Sequence, residues 1–213
     1  FNLGKYNFRK NKYKEALDWL EKVDVYDLTP DELSEFYFKR GYSYFSTEKY
    51  DLAKKDFYEI KDIDSKYAAP AKYYFAHIAY IEKNYETALK DFLKLQKDAT
   101  FGSVVPFYIA QLYYLQKKYN EVIAYAPAIL DTINIKRAPQ IARVLGESYY
   151  HTMQYKEAIP HFKTYEKAAG HLSREDNYQM GYAYYKTKNY EKAIDYFIGV
   201  TNISDDSLVQ NAY

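Results

Sequence analysis

The four histidines could bind a metal ion or transfer protons, but their spacing supports neither role. They are His77, His151, His161 and His171, and no two of them form the His-Glu-x-x-His pattern of a helical zinc site. The chain has no cysteine, which excludes a thiolate metal site, a cysteine nucleophile and a disulfide. No glycine-rich loop follows a strand pattern, as a phosphate-binding loop would require. The sequence therefore predicts a protein that is not an enzyme and needs neither a metal nor a cofactor.

The charged residues point away from nucleic acid and from the membrane. Lys and Arg total 30 and Asp and Glu total 29, so the formal net charge is +1 and no global field attracts polyanions. The carboxylates lie in charged helical segments such as EKYDLAKKD, where a solvated surface explains them. No apolar run approaches the length of about 18 residues that a membrane-spanning helix needs. Asn202 begins an Asn-Ile-Ser sequon, but three residues alone do not support glycosylation.

Tyrosine is abundant, with 29 copies against 7 glycines, and it marks an internal repeat. A Tyr-x-x-Ala pattern or its near equivalent recurs six times at intervals of 34 to 37 residues, at Tyr13, Tyr50, Tyr85, Tyr119, Tyr155 and Tyr190. Nine positions before each tyrosine is a small residue: Gly4, Gly41, Ala76, Ala110, Gly146 and Gly181. Seven positions after each tyrosine is Leu20, Phe57, Phe92, Ala126, Phe162 or Phe197. Three positions that share one period indicate a repeat architecture.

Each repeat predicts two helices joined by a short turn. Apolar residues return at intervals of three and four in both halves, and polar breakers such as STEK and KTKN stand between them. Glycine inside a helix costs about 1 kcal/mol relative to alanine, so Gly41 is expected to let the second helix approach at Ala53. Thr29, Pro30 and Glu32 predict a capping box at a helix start.

Other residues predict where later helices begin and where helices bend. Ser173 and Asp205 are predicted N-caps. Pro127 and Pro160 fall inside predicted second helices, where we expect bends in the helix axis.

The order of residues within each repeat resembles the tetratricopeptide repeat (TPR) family. LGKY at Leu3, LGESY at Leu145 and MGYAY at Met180 carry the first half of its signature, and the resemblance extends over nearly all of 1–200. It implies an all-α fold, a right-handed α-solenoid of about six stacked helix-turn-helix repeats. We expect a single array over 1–213, with repeats at 1–30, 31–68, 69–102, 103–137, 138–172 and 173–204 and a seventh beginning at 205–213.

The resemblance also implies that the first helices line a concave groove that binds a protein or peptide partner. One register gives the groove positions, which lie three before, one after and four after each small residue. The candidates are Phe38, Tyr42, Phe45, Tyr73, His77, Tyr80, Phe107, Gln111, Tyr114, Arg143, Glu147, Tyr150, Tyr178, Tyr182 and Tyr185. Most of them carry rings, which offer a partner large and rigid contact surfaces. The predicted function is an interaction scaffold.

Other roles for these residues remain open. The rings can instead pack neighbouring first helices together, and Tyr42, His77 and Tyr182 are then the better candidates for partner contact. Arg143 and Glu147 either form ion pairs with a charged group of the ligand or pair with each other. Some TPR proteins bind chaperone carboxyl termini through lysines and asparagines at fixed groove positions, but this chain has aromatic and mixed polar residues there, so that role is not supported. Alternative functions are a glycan- or cell-wall-binding module that uses the same rings, and a structural spacer in a longer protein.

Composition bears on the source and extent of the chain. Lysine outnumbers arginine 25 to 5, a bias of AT-rich bacterial genomes. Tyr-rich repeats also resemble those of TPR proteins in the bacterial cell envelope, which favours a periplasmic or envelope location over a cytoplasmic one. Because both ends fall inside a repeat, we expect a fragment of a longer protein. Nothing in the sequence indicates an oligomeric state.

Overall fold

The computed structural model describes residues 1–130 and 136–201, and within them it contains helices and no strand. The predicted all-α class, with two helices in each repeat, is confirmed. Two compact units make up the chain, Phe1–Val105 and Pro106–Tyr213, and each is described by itself. The predicted cap at Asp205, the sequon at Asn202 and the predicted seventh repeat at 205–213 lie outside the described residues.

The first unit is a stack of three helical pairs. Within each pair the two helices pack together, and the second helices of the first two pairs also pack against the first helix of the next pair. A short 3-10 turn, Val25–Asp27, links the first two pairs. The helices are α1 (Asn2–Arg9), α2 (Tyr13–Leu20), α3 (Pro30–Ser46), α4 (Tyr50–Ile60), α5 (Ala68–Ile81) and α6 (Tyr85–Lys94).

The second unit repeats this arrangement. Its second helices α8 and α10 pack against the following first helices α9 and α11. The helices are α7 (Val105–Leu115), α8 (Tyr119–Leu130), α9 (Ala138–His151), α10 (Tyr155–Ala169), α11 (Arg174–Lys186) and α12 (Tyr190–Thr201). The two prolines predicted inside second helices do lie inside α8 and α10.

The turn inside each pair contains a residue in the left-handed conformation, and none of these residues is glycine. Their φ angles run from 57° to 63°. The following N–H reaches back five residues, as when Lys49 donates to the Tyr44 carbonyl at 2.9 Å, which is the bond of a Schellman motif. The left-handed residues are Asn11, Glu48, Lys83, Lys117, Met153 and Lys188.

Gly41 permits a close approach between α3 and α4, as predicted, but the side chain that uses the space is Phe57 and not Ala53. A Cβ added at Gly41 would lie 3.0 Å from Phe57 Cε1 and 3.1 Å from Asp56 Cβ. The missing side chain therefore makes room for a ring. The same approach recurs in two equivalent pairs, Gly146 with Phe162 and Gly181 with Phe197.

Two first helices begin with the predicted caps. The Glu32 N–H donates to the Thr29 hydroxyl at 3.4 Å, and the Thr29 N–H donates to the Glu32 carboxylate at 3.1 Å. Ser173 forms the same reciprocal arrangement with Asp176 at the start of α11. Each box satisfies N–H groups that the first helical turn leaves without an intrahelical partner.

Candidate functional site

Rings on the first helices pack against the tyrosine that opens the second helix of the same pair. The ring involved lies four positions after the small residue; for example, the Phe45 and Tyr50 centroids are 5.7 Å apart. The equivalent pairs are Phe8 with Tyr13, Tyr80 with Tyr85, Tyr114 with Tyr119, Tyr150 with Tyr155 and Tyr185 with Tyr190. This repeated contact explains why a tyrosine opens every second helix.

In the first unit, the ring one position after the small residue bridges neighbouring pairs. Tyr42 lies 5.6 Å from Phe8 and 5.4 Å from Tyr13 in the preceding pair, and 5.0 Å from Tyr74 in the following one. His77 lies 5.8 Å from Phe45 in the same way. We call the connected rings Phe8, Tyr13, Phe38, Tyr42, Phe45, Tyr74 and His77 the first ring ladder.

Rings three positions before the small residue are stacked on rings from the segments that link successive pairs. Phe38 stacks on Tyr67, with centroids 5.3 Å apart and planes 26° apart. Tyr73 stacks on Phe101 at 4.6 Å and 16°. In both cases the linking segment covers one face of the candidate ring.

The second unit has a corresponding set of rings around Tyr182. Tyr182 lies 5.9 Å from Tyr150, 5.7 Å from Tyr155 and 6.0 Å from Tyr178. The Lys186 ammonium lies 5.1 Å from the Tyr182 centroid. We call Tyr150, Tyr155, Tyr178, Tyr182 and Tyr185 the second ring ladder.

A charged cluster interrupts the ring pattern in the second unit. Arg143 Nε lies 3.1 Å from Glu147 Oε1 and 3.0 Å from Asp176 Oδ1, and both carboxylates are buried. Burial raises the pKa of Glu147, while Tyr114 and Arg143 act in the opposite direction. Of the two roles predicted for Arg143 and Glu147, mutual pairing is the one that the geometry supports, and it extends to a third residue on α11.

The candidate positions share an intermediate exposure. Glu147 is buried, Tyr185 is 50% exposed, and the others, including Gln111 on α7 and Phe107 beside the Arg137 guanidinium, are half-buried. The first helices therefore present half-buried aromatic side chains, with part of each ring packed within its own unit.

Comparisons with known proteins identify the repeat. A family model described as Tetratricopeptide repeat matches residues 34–67 and 177–206. Those two segments match tetratricopeptide repeats. A comparison with curated proteins gave no match.

Solved structures with the TPR fold are similar over most of this chain. MamA AMB-1 has a TM-score of 0.69 at 15% identity and covers 85% of this chain and 97% of its own. YrrB, described as a TPR protein with an unusual peptide-binding site, has a TM-score of 0.68 at 16% identity, with 94% and 96% coverage. PilW, described as a widely conserved type IV pilus biogenesis factor, has a TM-score of 0.60 at 17% identity, with 99% and 94% coverage. At these identities the similarity concerns the fold alone.

Two histidines of the second unit, His151 and His161, pack against tyrosine rings. His151 stacks on Tyr119 at 4.5 Å, and His161 stacks on Tyr149 at 5.5 Å. Burial lowers the pKa of both histidines, which favours the neutral ring. Over residues 1–130 and 136–201 no cluster of three metal-ligating side chains is present, and no helix there is long and apolar enough to cross a membrane.

Sequence reasoning missed several rings that pack against the candidate residues. Tyr74 belongs to the first ladder but lies two positions before its small residue, outside the register used to choose candidates. Tyr67 and Phe101 lie outside that register as well, in the segments that lead into the next pair. An aromatic residue shortly before a first helix is the signal that could have found the latter two.

Proposed function

We propose that this chain is a non-enzymatic scaffold that binds a protein or peptide partner on the ring-bearing surface of its first helices. TPR folds serve protein interaction in general, which supports the class of function. The observation that carries the finer proposal is the pair of ring ladders. They hold half-buried aromatic side chains in fixed positions along consecutive first helices.

Packing within the chain prepares these rings for binding. Tyr42 meets Phe8, Tyr13 and Tyr74 at interplanar angles of 71°, 64° and 81°, so the contacts are edge to face. A side chain that is already immobilised loses little conformational entropy when a partner contacts it. Packing and partner contact are therefore compatible roles for the same ring.

The candidate rings are less suited to stacking on sugars. Sugar stacking needs an open ring face, whereas Phe38 and Tyr73 each have a face covered by a ring of a linking segment. Half-buried aromatic rings, most of them with a polar hydroxyl, suit a polypeptide, which offers backbone carbonyls and apolar side chains together. We therefore prefer a polypeptide ligand to the glycan alternative.

The test removes the ladder hydroxyls while keeping the rings. We expect the double variant Tyr42→Phe, Tyr182→Phe to bind a partner about 30-fold more weakly, because each of the two lost hydrogen bonds contributes about 1 kcal/mol. Tyr26→Phe, Tyr58→Phe is the matched control, since both tyrosines are exposed outside the ladders, at 94% and 66%.

Each variant is used as bait in the native cell extract, and the captured partner is then titrated calorimetrically against each purified chain. Melting curves followed by circular dichroism establish that both variants are folded. Equal affinity of the ladder and control variants for the same partner would contradict the ladder as the binding surface.

We also propose a location in the bacterial cell envelope. The Tyr-rich repeats and the similarity in fold to PilW, whose description concerns pilus biogenesis, support this proposal. Fractionation of the native cells, followed by detection with an antibody against this chain, tests it. Recovery in the cytoplasmic fraction alone would contradict it.

A further inference from the structure

A cleft of about 520 Å³ lies between α10, α11 and α12 of the second unit. Its lining includes two lysines, two carboxylates and two tyrosines, namely Lys163, Glu166, Tyr184, Lys192, Asp195 and Tyr196. None of them belongs to a ring ladder or to the candidate positions of the first helices. We call this surface the lysine cleft, and the proposed function does not use it.

Tyr184 carries a buried hydroxyl in this cleft. The residue is 4% exposed, and its hydroxyl has no hydrogen-bond partner in the part of the chain that the structure describes. Buried polar groups in native proteins almost always have a partner, because an unpaired one keeps the full cost of its lost hydration. The hydroxyl is therefore a donor available to a ligand.

The first unit shows what normally satisfies this hydroxyl. At the equivalent position of that unit, the Tyr44 hydroxyl donates to Glu21 Oε1 at 3.0 Å. Glu21 directly follows Leu20, whose counterpart in the second unit is Phe162. The residue after Phe162 is Lys163, which has no acceptor atom in its side chain. The second unit has thus replaced the acceptor with a cation.

One carboxylate of the cleft is already used by the second tyrosine. The Tyr196 hydroxyl donates to Glu166 Oε1 at 3.1 Å and to Glu166 Oε2 at 2.9 Å. Tyr196 also stacks on Tyr184, with ring centroids 5.6 Å apart and planes 12° apart. Of two stacked rings, one therefore has its hydroxyl bonded to Glu166 and the other has its hydroxyl unpaired.

Two cations stand beside the ring of Tyr184. Lys163 on α10 and Lys192 on α12 place their ammonium groups 6.0 Å and 5.5 Å from the Tyr184 ring centroid. Among the described residues neither ammonium forms an ion pair, although Glu166 and Asp195 each lie three positions along the same helix. Positive charge and an unpaired donor therefore occur together in the cleft.

We propose that the lysine cleft binds a carboxylate group, either of a small free acid or of an acidic side chain. The carboxylate accepts a hydrogen bond from the Tyr184 hydroxyl and forms ion pairs with Lys163 and Lys192. The ligand thus supplies the acceptor that Glu21 supplies to Tyr44 within the chain.

Charge in the cleft favours a carboxylate over a phosphate. Glu166 and Asp195 balance the two lysines, so the lining has no net charge. A carboxylate brings one negative charge, whereas a phosphate group brings about 1.5 to 2 and meets stronger repulsion. Both lysines are exposed and have flexible four-carbon side chains, so their ammonium groups can turn toward the bound carboxylate and open access to the hydroxyl.

Titrations followed by amide nuclear magnetic resonance test the proposal with two probes. Acetate represents a free acid, and the blocked peptide acetyl-Gly-Glu-Gly-amide represents an acidic side chain. We expect saturable shifts of signals from α10, α11 and α12, with a dissociation constant on the order of 1 mM. The probe that binds more tightly identifies the source of the carboxylate. Sodium chloride at equal ionic strength is the control and should give no saturable shift.

Two variants remove the two kinds of contact. Tyr184→Phe keeps the ring and removes the donor, so binding should weaken about 10-fold or more, as for the loss of a hydrogen bond to a charged group. Lys163→Met, Lys192→Met removes both cations and should abolish detectable binding. Lys156→Met, Lys167→Met is the matched control, because both lysines are exposed on α10 outside the cleft, and it should bind as the unsubstituted chain does.

Melting curves followed by circular dichroism give an independent readout without any ligand. Tyr44→Phe removes the hydrogen bond to Glu21 and should lower the melting temperature. Tyr184→Phe removes an unpaired hydroxyl, so the melting temperature should stay the same or rise.

Any of three results would overturn the proposal. The first is the absence of a saturable shift with both probes. The second is tighter binding of inorganic phosphate than of acetate. The third is a loss of stability in Tyr184→Phe as large as that in Tyr44→Phe, since a bound water would then already satisfy the hydroxyl.

Discussion

At the scale of single residues, three glycines in the first helices, Gly41, Gly146 and Gly181, act through the rings opposite them. A Cβ added at Gly146 would lie 2.9 Å from Phe162 Cδ1, closer than a real Cβ contact allows. Helix propensity favours alanine at this position, whereas the ring excludes it. The ring is 2% exposed and has little room to move.

We expect Gly146→Ala to destabilise the second unit by up to about 2 kcal/mol. Overpacking costs about 1 to 3 kcal/mol, and the gain in helix propensity offsets about 1 kcal/mol of it. The measurement is urea unfolding. Phe162→Leu and the double variant complete a cycle in which the smaller side chain should relieve the clash and give a clear coupling energy. A net stabilisation by Gly146→Ala would contradict the ring contact.

At the scale of helices and turns, six turns share one backbone geometry without sharing a residue type. Each has a left-handed residue whose successor donates to the carbonyl five residues back. A residue with a Cβ pays about 1 to 2 kcal/mol in this conformation, and Asn11 tolerates it best. The absence of glycine explains why the sequence indicated breakers there but not the turn type.

Met153 offers the cleanest test of this cost, because its φ is 62° and its side chain is 76% exposed. We expect Met153→Gly to stabilise the chain by about 0.5 to 1 kcal/mol, since glycine adopts this conformation without strain. Met153→Ala is the matched control and should change little, because it removes the side chain but keeps the Cβ. The two variants are compared by thermal unfolding. Equal stability of both would show that the turn is not strained.

At the scale of the whole molecule, the repeat and its helices were predictable because three co-periodic positions encode them locally. Gly41, Tyr50 and Phe57 fixed the helical pair, although the partner expected for Gly41 was Ala53. The packing role of the candidate residues was harder to predict from the sequence. A helical register places Phe38 on a face, but it does not reveal that Tyr67 of a linking segment covers its ring.

The charged cluster around Arg143 also could not be predicted in full from the sequence. Arg143 and Glu147 are close in sequence, whereas Asp176 lies 33 residues later and joins them only when α11 packs against α9. The same cluster touches a third first helix through Tyr114. The cluster therefore joins side chains from α7, α9 and α11.

This cluster predicts how the second unit unfolds. Arg143→Met leaves two buried carboxylates without their cation and should destabilise the unit by about 2 kcal/mol, below the figure for a fully buried pair because Arg143 is 39% exposed. Hydrogen exchange should show lost protection in α7, α9 and α11 together. Loss confined to α9 would show that Arg143 acts only within its own helix.

The loss of stability in Arg143→Met should also depend on pH, because burial raises the pKa of Glu147 above its ordinary value of 4.5. A raised native pKa means that the folded state takes up the proton first as pH falls, so the cost of the buried charge declines from neutral pH toward 4.5. Without Arg143, that pKa rises further. We therefore expect urea unfolding to show that the unfolding free energy of Arg143→Met approaches that of the unsubstituted chain on acidification.

Arg143→Met, Glu147→Gln is the control, and its loss of unfolding free energy should vary less with pH over the same range. A deficit in Arg143→Met that stays constant from pH 7 to 4.5 would contradict the coupling of Arg143 to Glu147.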